Sequence, residues 1–146
     1  MSIEIYHNLY QSMKSLSLHL DDGERSLFSK FDLTTSRFYV LKHIYSYPGI
    51  TYIELSELML CTKGNTTRIV GGMLEDHLVN RLENPKDRRS FQLFLTKTGE
   101  NLFKEVNAAY QDYIFSLLSK LNEDQLENFE EVSNSIENRL SGAVDA

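Results

Sequence analysis

One cysteine, two prolines and no long apolar run set the first limits on this chain of 146 residues. Cys61 by itself makes no internal disulfide, which points to a reducing compartment. No apolar stretch approaches the ~20 residues of a membrane span. The opening MSIEIYHNLY places an acidic residue where a secretory leader needs basic ones followed by an apolar run. The expectation is a cytoplasmic protein with no membrane partner. Catalytic patterns are missing as well: there is no Ser-His-Asp elbow, no metal-hydrolase pair and no dinucleotide fingerprint. His7, His19, His43 and His77 show no H-x-x-x-H spacing, so a zinc site would need ligands from distant segments. The sequence reads as no enzyme, with no cofactor and no metal.

What is present is a chain with 41% hydrophobic and 25% charged residues, the balance of a helix-rich globular protein. Its length is most simply one folding unit, 1–146, able to bury roughly two thirds of the surface its unfolded chain exposes. The net charge of −6 argues against a nucleic-acid partner until its distribution is considered. Between 62 and 97 stand seven basic residues and four acidic ones, a net of +3, which leaves −9 for the rest. One basic segment is set in acidic surroundings.

Periodicity gives the elements. Tyr6, Leu9, Met13, Leu16 and Leu20 alternate at spacings of three and four, one face of a helix that meets either the core or another chain. DDGERSLFSKFD, at 21–32, lacks a period and reads as a break or short helix. Thr34 caps the next helix, with Phe38, Leu41, Ile44 and Tyr45 on one face, and Pro48-Gly49 ends it. Thr51 and Glu54 have capping-box spacing and open a short helix that turns Leu55, Leu58 and Met59 inward. Strands at 79–84 and 90–96 flank the charged tip NPKDR. Thr96 then starts a long helix with Leu102, Val106, Ala109, Tyr113 and Leu117 on one face. Asn122 with Gln125 opens a last helix through Leu126, Phe129, Val132, Ile136 and Leu140.

The stretch CTKGNTTRIVGGML, 61–74, carries three glycines yet fails the P-loop pattern, because Ile69 stands five residues after Gly64, with Val70 and Gly71 following. As a helix capped by Thr62, it gathers Thr66, Ile69, Val70, Met73 and Leu74 on one face. The other face holds Lys63, Gly64, Asn65, Thr67 and Arg68, small, polar and basic. Each interior glycine costs a helix up to ~1 kcal/mol. Gly71 and Gly72 are expected to allow a close neighbour, while Gly64 is placed to face a ligand backbone.

Three short helices followed by a basic-tipped hairpin, enclosed by amphipathic helices, form a winged helix-turn-helix arrangement. The fold expected is mainly α with a small β-hairpin. In LTTSRFYVLKHI, ELSELMLCTKGNTTRIVGGMLEDHLVNR and NPKDRRSFQLFLTKTGE, with its D-x-R and L-T-x-x-G, the chain resembles the MarR family of transcriptional regulators over about 33–100. The resemblance implies a homodimer on double-stranded DNA. Residues 33–100 would be the DNA-binding lobe, and 1–32 with 101–146 the helical dimerisation region. The helix after Thr62 corresponds to the recognition helix, Arg89 to the wing arginine that enters the minor groove, and Asp87 to the acidic residue that holds it. Thr62, Lys63, Gly64, Asn65, Thr67, Arg68, Lys86, Asp87, Arg88 and Arg89 are the candidate DNA contacts. Their chemistry suits DNA, since guanidinium, amide and hydroxyl groups read base edges or grip phosphate, and a planar, weakly hydrated guanidinium suits a narrow minor groove. Where Gly64 stands the family more often has a serine, so one phosphate contact is lost.

The family implies release of DNA by a small aromatic or lipophilic anion. Tyr39, His43, Tyr45 and Tyr47 crowd one helix and could line its pocket or simply be core; Tyr39 and His43 are the effector candidates. Cys61, at a helix N-terminus, is the redox candidate. Two alternatives stand beside the regulator: a redox or metal sensor on the same scaffold, and a helical interaction protein that has lost DNA binding.

Overall fold

The computed structural model describes residues 2–142; residues 1 and 143–146, which the expected dimerisation region includes, lie outside the described residues. Helix α1 (Ile3–Ser29) is capped by Ser2, which accepts a hydrogen bond from the Glu4 amide at 3.1 Å. It runs on through Ser29, so neither the break nor the separate short helix expected over 21–32 occurs. Phe28 near its end is fully buried and stacks on Phe38, ring centroids 4.3 Å apart. That packing outweighs the roughly 1 kcal/mol that Gly23 costs the helix.

Helix α2 (Thr35–Ser46) begins on Thr34, whose hydroxyl accepts from the Arg37 amide. It buries Phe38, Val40, Leu41 and Ile44. Gly49 then takes φ +90°, a conformation that favours glycine, and its amide donates to the Leu93 carbonyl at 2.8 Å. This starts a two-residue strand, β1 (Ile50–Thr51), too short to show a period in the sequence. Helix α3 (Tyr52–Met59) is capped by Thr51. Glu54 returns to the Thr51 hydroxyl at 3.0 Å instead of to its amide. Leu55 is buried, but Leu58, expected inward, is exposed on the rim of a surface depression.

Helix α4 (Lys63–Glu75) is capped by Thr62 and buries Thr66, Ile69, Val70 and Met73, the face that its periodicity predicts. The hairpin of β2 (Val79–Asn84) and β3 (Asp87–Leu95) follows, with β3 beginning three residues earlier than expected. Strand order is β1-β3-β2, all antiparallel. Buried Leu93 lies opposite both Ile50 and Arg81, and the register slips at Glu83/Asn84.

The step from β3 into helix α5 (Lys97–Leu118) is tightly bound. Thr96 donates its amide to the Leu78 carbonyl and its hydroxyl to the His77 carbonyl, and it accepts from the Gly99 amide at 2.9 Å. A side chain at Gly99 would run into the Leu78 carbonyl, so only glycine fits. This accounts physically for L-T-x-x-G.

Two compact units divide inside α5, between Ala108 and Ala109. The first holds α1 to α4, the sheet and the start of α5, around Phe28, Phe38, Leu41, Ile44, Leu55, Met73, Leu93 and Val106. The second holds the rest of α5 and α6 (Glu123–Leu140), which opens on a capping box formed by Asn122 and Gln125. The stripe on α5 is shifted from the expected one: Phe103, Val106 and Tyr110 are buried, while Leu102, Ala109 and Tyr113 are not fully covered and Leu117 is exposed. No residue of α6 is buried. No helix among the described residues is long and apolar enough to cross a membrane.

Candidate nucleic-acid interface

All ten candidate DNA contacts are exposed, and all lie in the first unit, on α4, its cap and the wing. On α4 the burial of one face fixes the other: with Thr66, Ile69, Val70 and Met73 inward, Lys63, Gly64, Asn65, Thr67 and Arg68 face solvent. A Cβ at Gly64 would meet nothing within 4 Å, so that position is open. Arg68 Nη2 donates to Asn65 Oδ1 at 2.7 Å, and the Thr67 hydroxyl donates to the Lys63 carbonyl at 2.8 Å. The face therefore carries groups already oriented by the helix that bears them.

The wing tip is ordered by short side chains. Asn84 Oδ1 accepts from the Lys86 amide at 3.0 Å, and its Nδ2 donates to Ser90 Oγ at 3.1 Å. Asp87 Oδ1 accepts from the Arg89 amide at 3.0 Å. The acidic residue thus grips Arg89 through its main chain, and its carboxylate lowers the local charge without capturing the guanidinium. The ion pairs among the described residues are Arg25–Asp22, Arg37–Asp76 and Lys104–Glu100. None of them occupies Lys63, Arg68, Lys86, Arg88 or Arg89.

Between α4 and the wing lies an open groove of about 480 Å³ that brings Lys63 and Thr67 to Arg81, Asp87 and Arg89. Thr62, Gly64, Asn65, Arg68, Lys86 and Arg88 stand outside its walls. Arg81 was not among the expected contacts. Its guanidinium lies 4.6 Å from the centroid of the Phe91 ring, a cation–π contact that holds it on the groove wall. Its place in the basic segment is the signal in the sequence that points to it.

The effector candidates meet at a second depression, of about 410 Å³, lined by Thr35, Ser36, Tyr39, His43, Leu58 and Met59. The Tyr39 and His43 rings are 6.4 Å apart, and the Tyr39 hydroxyl donates to Glu24 Oε1 at 2.6 Å. Burial, and then the neighbouring Lys42 charge, push the His43 pKa down. Tyr45 and Tyr47 do not join this lining: Tyr45 packs on Phe103, ring centroids 4.6 Å apart, and Tyr47 is exposed. Cys61, half-buried, has its sulfur 3.0 Å from Thr66 Oγ1. Among the described residues, no three His, Cys, Asp or Glu side chains gather where they could hold a metal ion.

The glycines of α4 separate. A Cβ at Gly71 would meet nothing within 4 Å, so the close neighbour expected there is absent. At Gly72 it is present, because the Arg37 guanidinium lies 2.6 Å from where a Cβ would stand.

Comparison with known proteins bears on the fold and the family. The MarR family profile matches residues 33–91. The chain is 24% identical over 128 residues to an uncharacterised HTH-type transcriptional regulator, YsmB, of Bacillus subtilis, covering 88% of each protein. It is also 24% identical to the HTH-type transcriptional repressor MdtR of the same organism, over 84% of this chain and 79% of that one. Among solved structures, a mutant of E. coli MarR in complex with operator DNA superposes with a TM-score of 0.80 at 25% identity, over 88% of this chain and 93% of that one. Residues 33–91, set in a mainly helical winged fold, match the MarR family, whose members are transcriptional regulators and not enzymes.

Proposed function

We propose that the protein is a repressor that binds pseudo-palindromic DNA as a homodimer in the cytoplasm and releases it when a small aromatic or lipophilic anion is bound. Residues 33–100 form the DNA-binding lobe, and 1–32 with 101–146 the dimerisation region. Each copy places α4 in a major groove, with Lys63, Asn65, Thr67 and Arg68 on base edges and phosphates, and sends Arg89 into the adjacent minor groove. The observation that carries this reading is the groove walled by the start of α3, by α4 and by the wing, where Lys63, Arg81 and Arg89 outnumber Glu54 and Asp87 in an otherwise acidic chain.

Dimerisation is supported by exposed apolar side chains on both terminal helices, Leu9 and Leu16 on α1, and Phe129 and Val132 on α6. Faces of this kind mark interaction sites. The effector reading is supported by the depression that brings Tyr39 and His43 to Leu58 and Met59. Repression is the activity in the name of the relative MdtR.

The test is fluorescence anisotropy with DNA from upstream of the protein's own gene, against scrambled DNA, at two salt concentrations. Specific binding that weakens steeply with salt is expected. Arg89→Ala costs on the order of 1–3 kcal/mol of specific binding with fold and dimer unchanged. Equal affinity of the mutant and the wild type removes the minor-groove role. An intact dimer that retards no DNA favours the interaction-protein reading instead.

A further inference from the structure

We infer that Arg37 is a positioning residue for DNA binding: from α2 it reaches across Gly72 to Asp76 and fixes the C-terminal end of α4, and so the pose in which α4 meets DNA. The inference rests on the DNA-binding reading of α4.

Three locally unfavourable choices converge on this one contact. Arg37 lies in the first turn of α2, its amide donating to the cap residue Thr34, where a helix dipole disfavours a cation. Asp76 is the C-cap of α4, where the dipole disfavours an anion. Gly72 weakens the helix between them. Each is resolved by the others. Arg37 Nη1 lies 2.6 Å from Asp76 Oδ2, and the second guanidinium nitrogen occupies the space that a Cβ at Gly72 would need. When several local rules are broken at one place without disturbing the core, the shared contact is what they serve.

The contact also lies where it can act on pose. The inner face of α4 buries Thr66, Ile69, Val70 and Met73, which fixes the helix's rotation. The exposed residues of its N-terminal half, Lys63, Gly64, Asn65, Thr67 and Arg68, form the reading face. A charge pair at the opposite end of so short a rod sets its tilt, and a small tilt moves the reading face relative to the bases. Arg37, with a side chain only 28% exposed, lies on α2 and is not one of the groove residues. Its effect on DNA is therefore indirect.

Arg37→Gln, Asp76→Asn, the double variant and Gly72→Ala should be measured in the full chain for thermal midpoint and for binding to the DNA that the wild type prefers, at two salt concentrations. Each single charge variant should bind about threefold to fivefold more weakly, the effect of one partly exposed ion pair. The double variant should be no weaker than either single one. Gly72→Ala is the decisive case. Alanine improves the helix and displaces only the flexible end of Arg37, so the thermal midpoint should hold or rise while affinity falls. The salt dependence should stay as in the wild type, because no phosphate contact has been removed. Gly72→Ala binding as tightly as the wild type, or Arg37→Gln with a shallower salt dependence, overturns the positioning role. A wild type that binds no DNA removes the underlying reading and this inference with it.

Discussion

Helices α4 and α6 are both amphipathic, yet they end in opposite states. In α4 the large apolar residues of the inner stripe are covered by the first unit, and what remains outside is small, polar or basic. In α6 nothing is buried, and Leu126, Phe129, Val132 and Leu140 stay in contact with solvent. The lesson is that periodicity announces a face that must be covered but not what covers it. For α4 the cover is the chain itself; for α6, on the reading proposed above, it is a second copy.

The sharpest way to break this comparison is Phe129→Glu. A charge buried at a subunit contact should convert the dimer to a monomer and weaken specific DNA binding on the order of 30-fold or more. Sedimentation and anisotropy read the two effects. A variant that stays dimeric, with unchanged affinity, leaves α6 without the role assigned to it.

The completeness of the first unit is tested next by Gly99→Ala. The added carbon meets the Leu78 carbonyl, so the strand–helix junction must shift, at roughly 3 kcal/mol of stability. Chemical denaturation checks it, and an unaltered unfolding midpoint would show that the junction yields freely. Gly71→Ala probes the opposite case. Its Cβ enters open space, so stability should increase by about 0.5–1 kcal/mol through helix propensity alone.

The smallest effect concerns His43. Burial lowers its folded pKa below the ordinary value of 6.5, so the unfolded chain takes up the proton first. The stability held by the neutral ring is present above that value and is lost as pH falls from about 6.5 through the lowered folded pKa. His43→Gln should flatten the pH dependence of the unfolding midpoint as pH falls below about 6.5; an unchanged slope assigns the titration elsewhere.

Much of this was legible in the sequence because it is local. Thr34, Thr51, Thr62, Thr96 and Asn122 mark helix starts by chemistry that acts within three residues, and each accepts the expected amide. The polar face of α4 followed from its spacing. What was not legible depends on distant partners. Arg37 and Asp76 are 39 residues apart and share no local pattern. β1 is two residues long and exists because β3 offers it an edge. The continuity of α1 was hidden because its charged stretch has no period, while the burial of Phe28 that holds its end comes from α2. Arg81 was visible as a charge, but the Phe91 ring that sets it on the groove wall became apparent only once the strands were paired.

The junction at Thr96 and Gly99 has a consequence for how relatives of this protein are compared. Its threonine and glycine are set by the His77 and Leu78 carbonyls at the base of the wing and by each other, all within the chain's own backbone junction. A pattern so constrained identifies ancestry while holding no information about which genes are controlled. On the DNA-binding reading proposed above, that information resides where the backbone leaves the choice of side chain open, at positions 65, 67 and 68, so two chains that agree at 96 and 99 and differ there would share a fold and not a regulon.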